Sequence, residues 1–390
     1  MRLRTTALGV LLTLGVPLAA QAPRDWPGLV RAFDAYTGSD SIVGASILVL
    51  RDGRILAHHE YGFADRAHSV RTSLATIYHW ASITKTLTAV AIFQLRDRGL
   101  LSLDDPVTRW VPELRQVHDS FGSIDAITIR MLLGHSAGFQ NPTWPYGGGR
   151  PWEPFEPTRW EQLVAMMPYQ EIHFSPDTRY GYSNPGFIYL ARIIEAISGD
   201  PWQGYIYKNV WGPLGLGHSY FGVTPSWLAA DRSNNYSVVQ DSVSQVISVR
   251  DNGRDFDPGI TIPNGGWNAP LGDLATYLAF LTGARGDGVL RRASLEEMWR
   301  GRFSVPGPEA GPDSIGLSFF VLHRSGRRFV GHTGSQAGFR SFFYVDPDTR
   351  TGVVAAFNTS HEVQPDSSGA GFNAVRDAAL ALLATLSASH

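Results

Sequence analysis

The sequence predicts an α/β chain of the α+β type: one antiparallel sheet built from both chain ends, flanked by helices, with a mostly helical lobe inserted between them. Three observations carry this. Apolar residues alternate on both sides of Arg51-Asp52-Gly53-Arg54, the pattern of an antiparallel hairpin. From Leu317 onward, apolar stretches of strand character follow one another. Between the two lie segments with apolar residues at helical spacing, broken by Pro/Gly-rich loops. Strands at the ends and helices in the middle place one sheet lobe at about 23–80 and 315–390 and a helical lobe at about 81–314.

The elements follow in order. Residues 27–36, PGLVRAFDAY, read as a short helix, and SILVL and RILAHHEYGFA form the hairpin around the Asp-Gly turn. From Ser82 to Gly99, Leu87, Val90, Ala91, Phe93 and Leu95 recur at helical spacing, and Gly99 is a stop signal. ITIRMLL (127–133) fits strand or helix. The loop around 143–160 carries Trp144, Tyr146, Trp152, Phe155 and Trp160, which suit either an apolar roof over a cleft or ordinary loop packing. LSFFVLH, RRFVGHTG and FRSFFYVDPDTRTGVVAAFNTS then supply strands, with a turn at Asp346-Pro347-Asp348. NAVRDAALALLATL closes the chain as an amphipathic helix.

Composition narrows the function. A net charge of −2 over 390 residues gives no basic field for nucleic acid. Arg2 and Arg4, a short apolar run and the small-residue exit LAAQA read as a secretory signal over residues 1–22, which implies a secreted or periplasmic protein. The run is too short for a membrane span, which needs about 20 apolar residues. Cysteine is absent, so there is no thiol nucleophile and no thiolate metal site. Of the 33 lysines and arginines only Lys85 and Lys208 are lysine. Arginine solvates a surface as well as lysine but does not lose its proton, so a lysine kept in this background points to a need for a titratable amine.

Two serines compete as nucleophile. Gly134-His135-Ser136-Ala137-Gly138 matches G-x-S-x-G, which needs a buried strand before it and a helix directly after it. The residues that follow, FQNPTWPYGGGRPW, cannot start a helix, so Ser136 reads as a turn residue closing the preceding element. Ser82 stands three residues before Lys85, on one face of a helix, where hydroxyl and amine come within hydrogen-bond reach. A helix start also offers backbone N–H groups to an oxyanion. S-x-x-K alone is a weak signal, and a helix-capping serine explains it equally well.

Two further motifs strengthen it. Tyr182-Ser183-Asn184 sits in a loop before a helix, where a phenol can relay a proton and an amide can hold a substrate. His332-Thr333-Gly334 lies in the strand-rich end, where small residues let an extended substrate approach the backbone. Tyr207-Lys208-Asn209 also fits Y-x-N, but it reads as a surface turn of helix before Pro213.

With these motifs in this order, the chain from about Val43 to its last helix resembles the penicillin-recognising serine hydrolases: the class C β-lactamase and D,D-carboxypeptidase family with its esterase and D-aminopeptidase relatives. LSLDDPVTRWVPEL, ITIRMLLGHSAGF, GPLGLGHSYF and NAPLGDLATYLAFL resemble other recurring stretches of that family. The resemblance implies a β-lactamase-like fold and a catalytic set of Ser82, Lys85 and Tyr182. Ser82 would be acylated, and Lys85 and Tyr182 would share the proton transfers. Asn184, His332, Thr333 and Gly334 would bind substrate, and the N–H groups of Ser82 and Ser335 would form the oxyanion hole. His332 stands where many β-lactamases carry lysine, which argues against an efficient β-lactamase.

The expected protein is therefore an exported serine hydrolase that cleaves an amide or ester of a small molecule or peptide. It needs no cofactor or metal, binds no nucleic acid and has no membrane span once the signal is removed. The alternatives are a D-stereospecific peptidase or esterase with negligible β-lactamase activity, or a catalytically silent binding protein of the same fold.

Overall fold

The computed structural model describes residues 22–141, 157–241, 244, 246–286, 288–307, 311–361 and 365–387. Nearly all of the expected signal and the loop aromatics Trp144, Tyr146, Trp152 and Phe155 lie outside the described residues.

The strands are β1 (Gly44–Arg51), β2 (Arg54–Asp65), β3 (Val70–Arg71), β4 (Ile77–His79), β5 (Tyr220–Phe221), β6 (Tyr236–Gln240), β7 (Ile247–Asp251), β8 (Trp267–Pro270), β9 (Phe303–Ser304), β10 (Ser314–Ile315), β11 (Phe320–Arg324), β12 (Arg327–Gln336), β13 (Phe339–Asp346), β14 (Thr351–Phe357) and β15 (Thr359–His361). Nine form one sheet in the order β3-β2-β1-β14-β13-β12-β11-β10-β9. Its neighbours pair antiparallel, and the two chain ends meet where β1 pairs with β14 from Ala45↔Phe357 to Arg51↔Thr351. The β1–β2 turn places Asp52 and Gly53 at φ 49° and 73°, the backbone that an Asp-Gly hairpin turn selects.

The alternation expected on this side of the turn is absent: β1 is buried on both faces, so Ile47–Leu50 run continuously apolar. Ile47 and Val49 join Leu29, Phe33 and Tyr36 of α1 (Trp26–Ser39) and Val375 and Leu383 of the C-terminal helix Pro365–Ser387 in one core. Leu48 and Leu50 face the opposite core, with α2 (Thr84–Asp97), α5 (Pro185–Ser198) and the helix Leu271–Leu281. Between α2 and α5 in the chain, ITIRMLL resolves as helix α3 (Ile129–Leu133), capped by the Thr128 hydroxyl, and α4 spans Trp160–Met166.

Two features depart from the sequence expectation. The span 81–314 also carries short strands: β8 pairs with β4 on one side and β5 on the other, β6 pairs with β15 and β7, and β9 and β10 extend the main sheet. Strands of two to five residues are too short to develop a readable alternation. The β15–β6 pair is also parallel, whereas the other paired strands among the described residues run antiparallel. Among the described residues no helix is long and apolar enough to cross a membrane.

Candidate active site

The site begins where β4 ends. The backbone N–H of Trp80 donates to Trp267 O at 2.8 Å, and its indole donates to Ala269 O at 2.9 Å, fixing this segment to β8. Ala81 follows with φ 49°, a left-handed conformation that a non-glycine residue adopts at about 1–3 kcal/mol. This bend delivers Ser82 into the short 3₁₀ turn Ala81–Ile83, which runs directly into α2. α2 is buried on every side from Thr84 to Leu95, and the polar hydrogens of its threonines and Gln94 are directed at carbonyls. Thr86 and Thr88 donate to the carbonyls of Ile83 and Pro263, and Gln94 donates to those of Asn209 and Val289.

Lys85 is the exception in function, though not in satisfaction. Its Nζ lies 3.1 Å from Ser82 Oγ, 2.8 Å from Asn184 Oδ1 and 2.8 Å from the backbone carbonyl of Asn264. Burial drives the ammonium well below its ordinary pKa. Asn184 Oδ1 and Asn264 O can only accept, so they take two N–H bonds of the amine. The remaining tetrahedral position faces Ser82 Oγ. A neutral Lys85 therefore aims its lone pair at the serine hydroxyl.

Asn184 sits at the N-cap position of α5, but its side chain caps nothing. Its amide oxygen is held instead by Lys85 and, at 3.2 Å, by Asn264 Nδ2. A residue type that ordinarily caps a helix has here been diverted to a lysine.

Tyr182 completes the group. Its hydroxyl hydrogen-bonds Ser82, and Lys85 Nζ lies 4.9 Å from the centre of its ring. The residue is half-buried, yet protein surrounds the phenol closely enough to push its pKa above the ordinary value, which keeps it protonated. The loop carrying Tyr182 hangs on His135: Gly181 N–H donates to His135 O at 2.8 Å and Ser183 N–H to His135 Nδ1 at 3.1 Å. The His135 and Tyr182 rings stack at 4.4 Å between centroids.

β12 forms the opposite wall, against the Ala81–Ile83 turn. Gly334 is required there: a Cβ at this position would come within 2.2 Å of Trp80 O and 2.6 Å of Ser341 Oγ. Thr333 is half-buried and Ser335 exposed, while His332 is 1% exposed. The His332 Nδ1 is bound to Thr333 O, and the ring packs 4.9 Å from Phe320. Burial lowers its pKa to about 3, and Lys85 pushes the same way whenever it is protonated. A neutral, buried imidazole offers no charge to a substrate carboxylate.

The structure thus brings Ser82, Lys85, Tyr182 and Asn184 together and sets His332-Thr333-Gly334 beside them. It gives the rival residues other roles. Ser136 is fully buried, and its hydroxyl donates to Asp177 Oδ1 at 2.9 Å. Lys208 is exposed and pairs with Asp200 at 2.8 Å. Trp160 opens α4, with the Arg192 guanidinium 4.8 Å from its ring centre. Two participants escaped the sequence. Asn264 acts partly through its backbone carbonyl, which no motif records. His135 lies inside the Gly134–Gly138 stretch, read only as a turn, and its left-handed φ of 53° is the local reason its ring turns under Tyr182.

The family model described as Beta-lactamase matches residues 29–377. The chain is 24% identical over 332 residues to Protein flp of Staphylococcus aureus (strain COL), covering 83% of this chain and 61% of that protein. It therefore spans about three fifths of that relative. Among solved structures, the octameric penicillin-binding protein homologue from Pyrococcus abyssi superposes with a TM-score of 0.76 at 27% identity, over 92% of this chain and 77% of that one. D-amino acid amidase from Ochrobactrum anthropi SV3 gives 0.73 at 20% identity, over 90% and 98%, a likeness of fold.

Proposed function

This chain belongs to the beta-lactamase family, whose members are serine hydrolases, and from that premise we propose that it cleaves an amide or ester through an acyl-enzyme on Ser82. The observation that carries the reading is the Lys85 amine, whose two fixed acceptors leave its third position to Ser82 Oγ. Neutral Lys85 removes the Ser82 proton as Oγ bonds to the substrate carbonyl carbon. The N–H groups of Ser82 and Ser335 hold the oxyanion, and Asn184 uses its Nδ2 side to orient the substrate. Tyr182, kept as a phenol, passes its proton to the leaving nitrogen or oxygen as that bond breaks, and it is reprotonated from Lys85. Water then attacks the ester carbon, giving its proton up the same path, and Ser82 is released. The protein acts outside the cytoplasm, with residues 1–22 as its signal; amino-terminal sequencing of the mature protein checks this.

A second reading within this chemistry is favoured by His332. Without a cation on β12 at this position, substrates that rely on a carboxylate beside the scissile bond are held poorly. A D-stereospecific amidase, peptidase or esterase with negligible β-lactamase activity fits better than an efficient lactamase.

A fluorophosphonate probe followed by peptide mass analysis tests the nucleophile. The label is expected on Ser82, lost in Ser82→Ala and retained in Ser136→Ala. A label on Ser136 that survives Ser82→Ala overturns the assignment. Absence of label, together with no turnover of D-amino acid amides, esters or a chromogenic cephalosporin, favours a silent binding protein.

A further inference from the structure

The two N–H groups assigned to the oxyanion, those of Ser82 and Ser335, belong to different segments of chain. The gap between those segments decides whether both reach one oxygen. β12 pairs with β11 only as far as Gly331, so from His332 to Gln336 it is laddered to β13 alone. Along this stretch His332, Gly334 and Gln336 alternate with Thr333 and Ser335 and share one face of the strand. On that face Gly334 meets the carbonyl of Trp80, to which Ser341 Oγ also donates at 3.3 Å. Two residues further on, the Gln336 carboxamide Oε1 lies 3.1 Å from Nε2 of His79. His79 ends β4 and stands three residues before Ser82.

His79 is itself firmly held. It is 1% exposed, and its Nδ1 lies 2.9 Å from Asn268 Oδ1 on β8. Asn268 in turn donates from Nδ2 to Gly266 O at 3.3 Å. The rings of Phe256 and Phe339 pack against the imidazole, at 4.7 and 5.9 Å between centroids. Burial and then the Arg232 charge lower its pKa to about 4, so the ring is neutral near pH 7. A neutral imidazole carries one donor and one acceptor, and a carboxamide offers both, so the two groups match. Gln336 also touches the chain behind Lys85. A Cβ on Gly265 would come within 2.6 Å of Gln336 Oε1, and Gly265 follows Asn264, whose carbonyl holds the amine. We propose that Gln336 is a positioning residue for the oxyanion hole, and that its hydrogen bond to His79 fixes the Ser335 N–H relative to the Ser82 N–H. Gly334 limits how closely β12 approaches the serine turn, and Gln336 limits how far it withdraws. No covalent bond is made or broken in this pair.

The inference rests on the acyl-enzyme reading of Ser82, and its test separates the two. Gln336→Met keeps the length of the side chain but removes the hydrogen bond. It is expected to slow labelling by a saturating fluorophosphonate, whose phosphoryl oxygen takes the oxyanion position, about 10–10²-fold, with little change in probe affinity. Gln336→Glu still offers His79 an oxygen and is expected to restore most of that rate. His79→Phe keeps a ring, and the double variant with Gln336→Met is expected to be no slower than the slower single one, because both break the same contact. The pH midpoint of labelling is expected to stay at the wild-type position, since Lys85 keeps its acceptors. A Met variant as fast as the wild type, a Glu variant as slow as the Met one, additive rate losses or a shifted midpoint overturns the role of Gln336. In each of those cases the wild type is labelled and Ser82 keeps its place. A wild type that takes no label refutes the acyl-enzyme reading itself, and the inference with it.

Discussion

At the scale of single residues, the site depends on Lys85 being able to give up its charge. Lys85→Arg keeps the cation but offers no lone pair to Ser82, since arginine stays protonated. The expected result is a fall in the acylation rate of about 10²–10⁴-fold, measured by single-turnover labelling. In the wild type, acylation is expected to rise with pH as the ammonium is titrated, with a midpoint below that of an ordinary lysine. A flat profile would mean that the amine is not the base. Ser82, Lys85, Tyr182 and Asn184 were all legible because helical spacing and chain order group them. Their partners were not: Asn264 contributes a carbonyl, and His135 acts through a backbone twist that residue identity does not reveal.

At the scale of elements, β12 and the Ser82 turn approach so closely that only glycine fits at 334. Gly334→Ala must push β12 away from the carbonyl of Trp80. The overpacking is expected to destabilise the fold by about 1–3 kcal/mol in denaturant titration, and probe labelling should fall further than stability does. Equal stability and equal labelling would show that the strand has room to shift. The hairpin was readable from its Asp-Gly turn and the strands after Leu317 from their successive apolar stretches, although β1 and β14, buried on both faces, do not alternate. The brief strands between 220 and 315 were not, since pairing with distant segments rather than local pattern makes them strands. α2 was legible as a helix but not in its surroundings. Its apolar spacing marked a helix correctly, while the burial of Thr88 and Gln94 depends on the distant carbonyls of Pro263, Asn209 and Val289, which only the tertiary structure supplies.

For the whole molecule, buried neutral histidines set the response to acid. Burial and Arg232 bring the pKa of His79 down to about 4 from the free value of 6.5, and that of His332 falls to about 3. His135 is shifted the same way. Above pH 6.5 these groups are neutral whether folded or unfolded and stability is unaffected. As pH falls below that value the unfolded chain takes up protons that the folded chain refuses, so stability declines until the folded pKa is reached. For His79 alone the loss between pH 6.5 and about 4 is about 3 kcal/mol. Unfolding free energy measured across this range is expected to fall steeply, and a plateau would show that these rings are more open to water than the structure places them. The joining of the chain ends has another consequence, in the order of events during folding. Gly44 N–H is bound to the Asn358 side chain across 314 residues of sequence. A segment made first thus waits for one made almost last, and so much long-range pairing slows folding. The Ser82 turn precedes the wall it works against by most of the chain, so activity should appear only after the final strands have docked, late in refolding and in one step.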